Sequence, residues 1–233
     1  MSPCSSCHAG CCRAFAVPIT GADILRIMNR RGVDFWDFVC RWSDPKGTIA
    51  RNFAPQFYFQ DDPGVPYVIC LILEPSEQFP GTTKCRFLHE TPPTEEHPLG
   101  VASCSIHSER PSTCRAFPTR LSSDLDLVVL HDVPASGRPG QHEVYNLCPR
   151  PFEPSDIDPL VQFQDLIVAR GEMKFFHSLA DSWNRDPGAW SLFPEFLKIV
   201  YSSRVQMSAA VERDDSERTV PQLVAYNPLR SAA

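Results

Sequence analysis

Apolar residues recur at helical spacing in several stretches of the chain, and run together or alternate in others. Ile24, Ile27 and Met28 share one face of a predicted helix that follows Pro18-Ile19-Thr20 and stops at Gly32. Thr20 is placed to cap it, and Asp23 comes three residues later, close to a capping box. Phe35, Phe38, Val39 and Trp42 predict a second helix that begins at Asp34. Phe57-Tyr58-Phe59 and the run Val65–Leu73 predict strands on either side of the turn Asp61-Asp62-Pro63-Gly64. Cys85-Arg86-Phe87-Leu88 reads as extended or looped, residues 91–100 as a proline-rich surface loop, and Leu125–Val133 as a further strand. From about Asp156 helical spacing returns over Leu160–Trp183 and Trp190–Met207, broken by Pro187-Gly188.

These elements predict an α+β fold. Its core is small and loop-rich, with short strands and flanking helices organised by metal over residues 1–150. A helical segment over 151–210 is expected to pack on that core, followed by a poorly ordered tail over 211–233. With 233 residues, 42% hydrophobic and 21% charged, the chain is large enough to bury a core without staples.

The net charge of −6 lacks the basic surplus of a nucleic-acid surface. No apolar run approaches the roughly 20 residues of a membrane span, so no membrane partner is expected. The opening Met-Ser-Pro-Cys has neither the basic nor the apolar stretch of a secretion signal, which predicts a cytoplasmic, reducing setting. Ten cysteines in such a setting point to thiolate–metal bonding rather than to disulfides.

The cysteines sort by their surroundings. Cys4, Cys7, Cys11 and Cys12 lie within one short turn-rich loop. Cys85, Cys104, Cys114 and Cys148 are dispersed, each in a loop-like setting beside Arg, Pro or Ser. Cys40 and Cys70 lie inside apolar periodic segments and are expected to pack the core. The other eight thiols suffice for two tetrahedral sites, or for one cubane cluster plus an additional centre. Adjacent cysteines point in different directions in most conformations, so Cys11 and Cys12 are expected to serve separate metal positions or a polynuclear centre. Sulfur-rich ligation selects zinc or iron–sulfur over magnesium and calcium.

His8 and His107, and more weakly His89, could replace a cysteine in a mixed site. Arg110 and Arg115 flank Cys114 and admit two roles: offsetting thiolate charge or binding an anionic group beside the metal, or pairing with carboxylates to tie the loop. Arg13 invites the same two readings. No glycine-rich phosphate loop, GxSxG elbow or HExxH helix is present.

The segment Cys4-Ser-Ser-Cys7-His-Ala-Gly-Cys11-Cys12-Arg13, with Val17-Pro18-Ile19-Thr20-Gly21-Ala22-Asp23-Ile24 after it, resembles the opening of the YkgJ-type cysteine-cluster family, zinc- or iron-chelating proteins with a CxxCxxxCC motif. The likeness continues in Cys85-Arg86-Phe87-Leu88, Cys104-Ser105-Ile106-His107, Arg110-Pro111-Ser112-Thr113-Cys114-Arg115-Ala116-Phe117-Pro118 and Cys148-Pro149, and so covers roughly residues 4–150. It implies that Cys4, Cys7, Cys11, Cys12, Cys85, Cys104, Cys114 and Cys148 hold an iron–sulfur cluster, of 4Fe–4S type, or zinc. The role implied is redox or structural, with metal ions and a redox partner or protein substrate as partners. Flagellin lysine N-methylases share the cysteine motif and an iron–sulfur cluster, which implies the alternative of a metal-dependent methyltransferase. Those enzymes are considerably longer than this chain.

Overall fold

Thr20 starts α2 (Gly21–Arg31) by accepting the Asp23 N–H, and the Asp23 carboxylate returns a bond to the Thr20 N–H. Gly32 ends this helix at φ 64°, donating its N–H to the Met28 carbonyl, a left-handed cap that suits glycine. Ile24 and Ile27 on its inner face are fully buried. The capping and the apolar spacing both match the sequence-based expectation. In the computed structural model, residues 7–50, 54–122, 127–129, 142–147 and 154–204 are described. The chain divides into two compact units, 1–194 and 195–233, and the fold is α+β.

The expected helix over Phe35–Trp42 is only half helical. α3 (Phe35–Phe38) is one turn, and the chain then straightens into β1 (Val39–Ser43). β1 pairs antiparallel with β3 (Asp62–Leu71), with Cys40 opposite Cys70 and Trp42 opposite Val68. The ladder to β3 and the β-branched Val39 outweigh a local apolar spacing that fits a helix equally well.

β2 (Phe57–Phe59) pairs with the other side of β3, giving the order β1-β3-β2. Phe59 faces Asp62, so the reversal falls at Gln60-Asp61, and Pro63-Gly64 extend β3 rather than turn it. Asp61 secures that tight reversal by accepting the Trp190 N–H at 2.8 Å and pairing with Arg41 at 2.9 Å. Further along the same side of β3, Val17 and Ile19 bond to Leu71 and Ile69.

The long C-terminal helix of the first unit, α5 (Pro159–Trp183), starts where Asp158 accepts the N–H groups of Leu160 and Val161, with proline at its first position. Its far end covers the free edge of β2. Asn184 accepts the Tyr58 N–H at 2.9 Å and donates to the Gln56 carbonyl at 2.8 Å, while the Trp183 indole donates to the Tyr58 carbonyl at 2.7 Å. Beneath lies an aromatic core of Phe35, Phe57, Phe59, Phe176, Trp183 and Phe193.

Among the described residues of the first unit, three two-stranded ladders follow: β4 (Leu73–Pro75) with β5 (Thr83–Cys85), β6 (Leu88–Glu90) with β7 (Ala102–Cys104), and β8 (Thr119–Leu121) with β9 (Leu127–Val129). β9 lies within the strand predicted over 125–133, whose other residues fall outside the described set. α1 (Cys11–Ala14) and α4 (Ser112–Ala116) are short cysteine-bearing helices. In the second unit the described residues, 195–204, are helical, and 205–233 lie outside the described residues. No helix among the described residues is long and apolar enough to cross a membrane.

Candidate metal centre

Two strand ends and two short helices carry the cysteines that come together. Cys85 closes β5, the chain turns through Arg86-Phe87, and Leu88 opens β6 opposite Cys104 of β7. Cys11 opens α1 and Cys114 lies in α4. The four thiols are near enough to oppose one another's ionisation: Cys114 is affected by Cys85, Cys11 and Cys104, while Cys85 and Cys104 are each affected by Cys11. Among the described residues, however, no three Cys, His, Asp or Glu side chains converge closely enough to hold an ion as they stand.

Cys11 and Cys12 are not turned apart. The Cys12 side chain hydrogen-bonds the Cys11 thiol, and this contact is the main reason the Cys11 thiol titrates well above its ordinary range, ahead of burial. The helical turn of α1 keeps both side chains on adjoining faces, where an extended chain would oppose them.

Burial pushes Cys85 up to about 12, partly offset by a bond from the Phe87 backbone. Cys104 is also raised by burial, while the Ile106 backbone and the charges of Arg110 and Arg31 pull it down. Burial and the neighbouring thiols hold Cys114 well above its ordinary range. A third backbone bond to sulfur joins the Ala9 N–H to Cys7 Sγ at 3.2 Å. In all three cases the donor is the amide two residues after the cysteine, an arrangement that stabilises charge on sulfur.

Cys4 and Cys148 lie outside the described residues. Their neighbours nevertheless meet. The Cys7 thiol lies 4.0 Å from the Leu147 carbonyl, and His8 Nε2 donates to the Asn146 carbonyl at 2.6 Å. A Cβ on Gly10 would sit 1.8 Å from that same Asn146 oxygen, so only glycine admits the approach. The segment leading to Cys148 therefore packs on the first cysteine loop, and the spatial grouping cuts across the two halves seen in sequence.

Burial lowers the His8 pKa, and its Nε2 is committed to Asn146. His107 Nε2 lies 3.1 Å from the Arg110 guanidinium. Arg115 reaches Asp165 of α5 at 3.6 Å. Of the two readings of Arg13, the carboxylate pair is the one formed. Its fully buried guanidinium meets Glu90 at 2.5 Å, donates to the His8 carbonyl at 3.2 Å and lies over the Phe79 ring.

Sequence reasoning missed Lys84, which is buried beside Cys85. It bonds the Leu88 carbonyl at 3.1 Å and Glu74 at 3.2 Å. It also missed the second role of Asp23, whose fully buried carboxylate accepts both the N–H and the hydroxyl of Ser112, at 3.0 and 2.9 Å. The near capping box marked Asp23, but nothing local marked its partner far along the chain.

A family model described as "CxxCxxCC: Putative zinc- or iron-chelating domain" matches residues 3–136, a span that takes in Cys4, Cys7, Cys11, Cys12, Cys85, Cys104 and Cys114. The chain belongs to this family. Zinc or iron chelation is the function that the description of the CxxCxxCC domain assigns. No curated protein and no solved structure matches the chain. The candidate thiols of this CxxCxxCC domain suit such a metal in kind: they are sulfur, they come from separate elements, and Cys7, Cys85 and Cys104 each receive an amide bond.

Proposed function

We propose that the protein holds an iron–sulfur cluster, with zinc as the competing occupant, in a redox or structural role. The observation that carries this reading is the gathering of Cys11, Cys85, Cys104 and Cys114 from four different elements. Buried thiols that raise one another's pKa resist ionisation as a group, and a bound cation reverses that by stabilising them as thiolates. Cys12 touches Cys11 and adds a fifth sulfur. Five thiols exceed the four positions of a single tetrahedral ion, which favours a polynuclear iron–sulfur centre over one zinc.

Cys4, Cys7 and Cys148 would supply the remaining thiolates beside the Leu147 contact. The charge of Arg110 near Cys104 would offset the cluster's negative charge, and Arg115 would border the site from α4. A reducing compartment such as the cytoplasm suits such a centre, and a redox partner or protein substrate would meet it there.

Anaerobic purification followed by metal analysis and visible spectroscopy tests this reading. Stoichiometric iron and sulfide with the broad visible absorption of thiolate-held iron is the expected result. A colourless protein with stoichiometric zinc would overturn the iron assignment, and a protein without metal would overturn the function itself. Cys7→Ser and Cys114→Ser should lose metal, whereas Cys40→Ser and Cys70→Ser should keep it. Equal loss in all four would refute the division between ligands and core.

A further inference from the structure

We infer that Asp23 is a positioning residue for the metal centre, holding the helix that carries Cys114 in place for ligation. The inference rests on the metal-binding reading above. The two carboxylate oxygens divide their work. Oδ2 accepts the Thr20 N–H at 3.2 Å and the Thr20 hydroxyl at 3.0 Å, which belong to the cap of α2. Oδ1 accepts the Ser112 N–H at 3.0 Å, the Ser112 hydroxyl at 2.9 Å and Arg26 Nη2 at 2.7 Å. A helix cap does not require the second set.

Ser112 is the first residue of α4, and Cys114 follows two residues later. The same Arg26 nitrogen also donates to the carbonyls of Glu109, at 3.5 Å, and Arg110, at 3.1 Å, so the approach to α4 is clamped as well. Thr113 adds a bond from its hydroxyl to the Pro18 carbonyl at 3.0 Å. The segment bearing Cys114 is thus fixed to α2 and to Pro18 ahead of it at several points, with one oxygen of Asp23 at the centre.

The test loads cobalt(II) anaerobically into the metal-free full-length chain. Affinity is read by chelator competition, and the number of bound thiolates by the sulfur-to-cobalt charge-transfer intensity. Thr20→Val weakens the α2 cap and leaves Oδ1 untouched, so it should lower the melting temperature but change cobalt affinity by less than about threefold. Asp23→Ala should weaken cobalt binding about 10–100-fold and reduce the charge-transfer intensity. Asp23→Asn keeps an acceptor for Ser112 and should restore most of the loss. In a Cys114→Ser background the Asp23→Ala change should add almost nothing, because the two act through one ligand.

If Asp23→Ala does not fold, Ser112→Ala reads the same tether and should show the weaker form of the same spectral loss. Equal affinity losses for Thr20→Val and Asp23→Ala, or additive losses in the double variant, would reduce Asp23 to a helix cap and overturn the inference. A wild-type chain that binds no cobalt overturns the metal reading itself. That outcome is distinct from a wild-type chain that binds cobalt while Asp23→Ala binds it equally well, which overturns this inference alone.

Discussion

Neighbouring residues in the first cysteine loop carry opposite constraints. Ala9 sits at φ 57°, a left-handed conformation that costs an L-residue roughly 1–2 kcal/mol. The conformation aims the Ala9 N–H at Cys7 Sγ, so the strain is offset by a bond to a candidate ligand. Ala9→Gly should therefore stabilise the protein by up to about 1 kcal/mol while keeping that amide in place. Gly10→Ala should do the reverse. The new methyl would overlap the Asn146 carbonyl, where a Cβ falls 1.8 Å away, and must drive the Asn146-Leu147 segment off the loop. A loss of about 1–3 kcal/mol is expected, in line with overpacking, together with lower metal content because the displaced segment runs on to the proposed ligand Cys148. Urea melts and metal analysis of the two variants check this, and a Gly10→Ala protein that melts and loads like the wild type would show that the contact is not made in solution. Arg13 is a different case. Its neighbour Cys12 suggested a charge partner for thiolates, yet its guanidinium is spent on Glu90 and on the His8 carbonyl.

At the scale of elements, the free edge of β2 is covered by the Trp183 indole, the Gly188 carbonyl and, at two backbone groups, the Asn184 side chain. Asn184 imitates a paired strand, offering its oxygen to the Tyr58 N–H and its amide to the Gln56 carbonyl. Asn184→Ala would leave both backbone groups unpaired, at a cost of about 1–3 kcal/mol for a buried group without its partner. Denaturant melts measure the total loss, and amide exchange at Tyr58 should quicken more than exchange in β1. Unchanged protection at Tyr58 would mean that the edge is covered by something other than Asn184. The elements that were legible beforehand, α2 and α5, state their own ends: Thr20 and Gly32 bound the first, and Asp158-Pro159 opens the second. The segment Phe35–Trp42 was misread because Phe35, Phe38, Val39 and Trp42 satisfy helical spacing, while the ladder that makes Val39–Ser43 a strand comes from residues far along the chain. The same limit applies to the site. That Cys70 belongs to the core was readable from the apolar run around it, and it is fully buried opposite Cys40. That Cys11 joins Cys85, Cys104 and Cys114 depends on contacts between elements, which no local spacing encodes.

At the scale of the whole molecule, the buried thiols tie stability, protons and metal together. In the metal-free chain burial holds Cys85 protonated, raising its pKa from the ordinary 9.0 to about 12, and Cys104 and Cys114 are shifted in the same direction. A thiol whose folded pKa is raised contributes stability that is complete below its unfolded pKa and is lost as pH climbs toward the folded one. The metal-free protein should therefore keep a steady melting temperature up to about pH 9 and weaken above it. Cys40, pushed by burial to about 11, contributes in the same direction and does so with or without metal. Metal binding works with the opposite sign, because each ligand thiol must surrender its proton to the solvent on ligation. Raising pH lowers the free energy needed to remove those protons, so apparent metal affinity should rise steadily from about pH 6 to 9, by more than one proton's worth of slope if several thiols bind one centre. Paired thermal melts of chelator-treated and metal-loaded protein across that range provide the check. The gap between the two melting temperatures should widen as pH increases. A gap that stays constant would mean that the bound metal displaces no protons, and that thiols held protonated by burial are not its ligands.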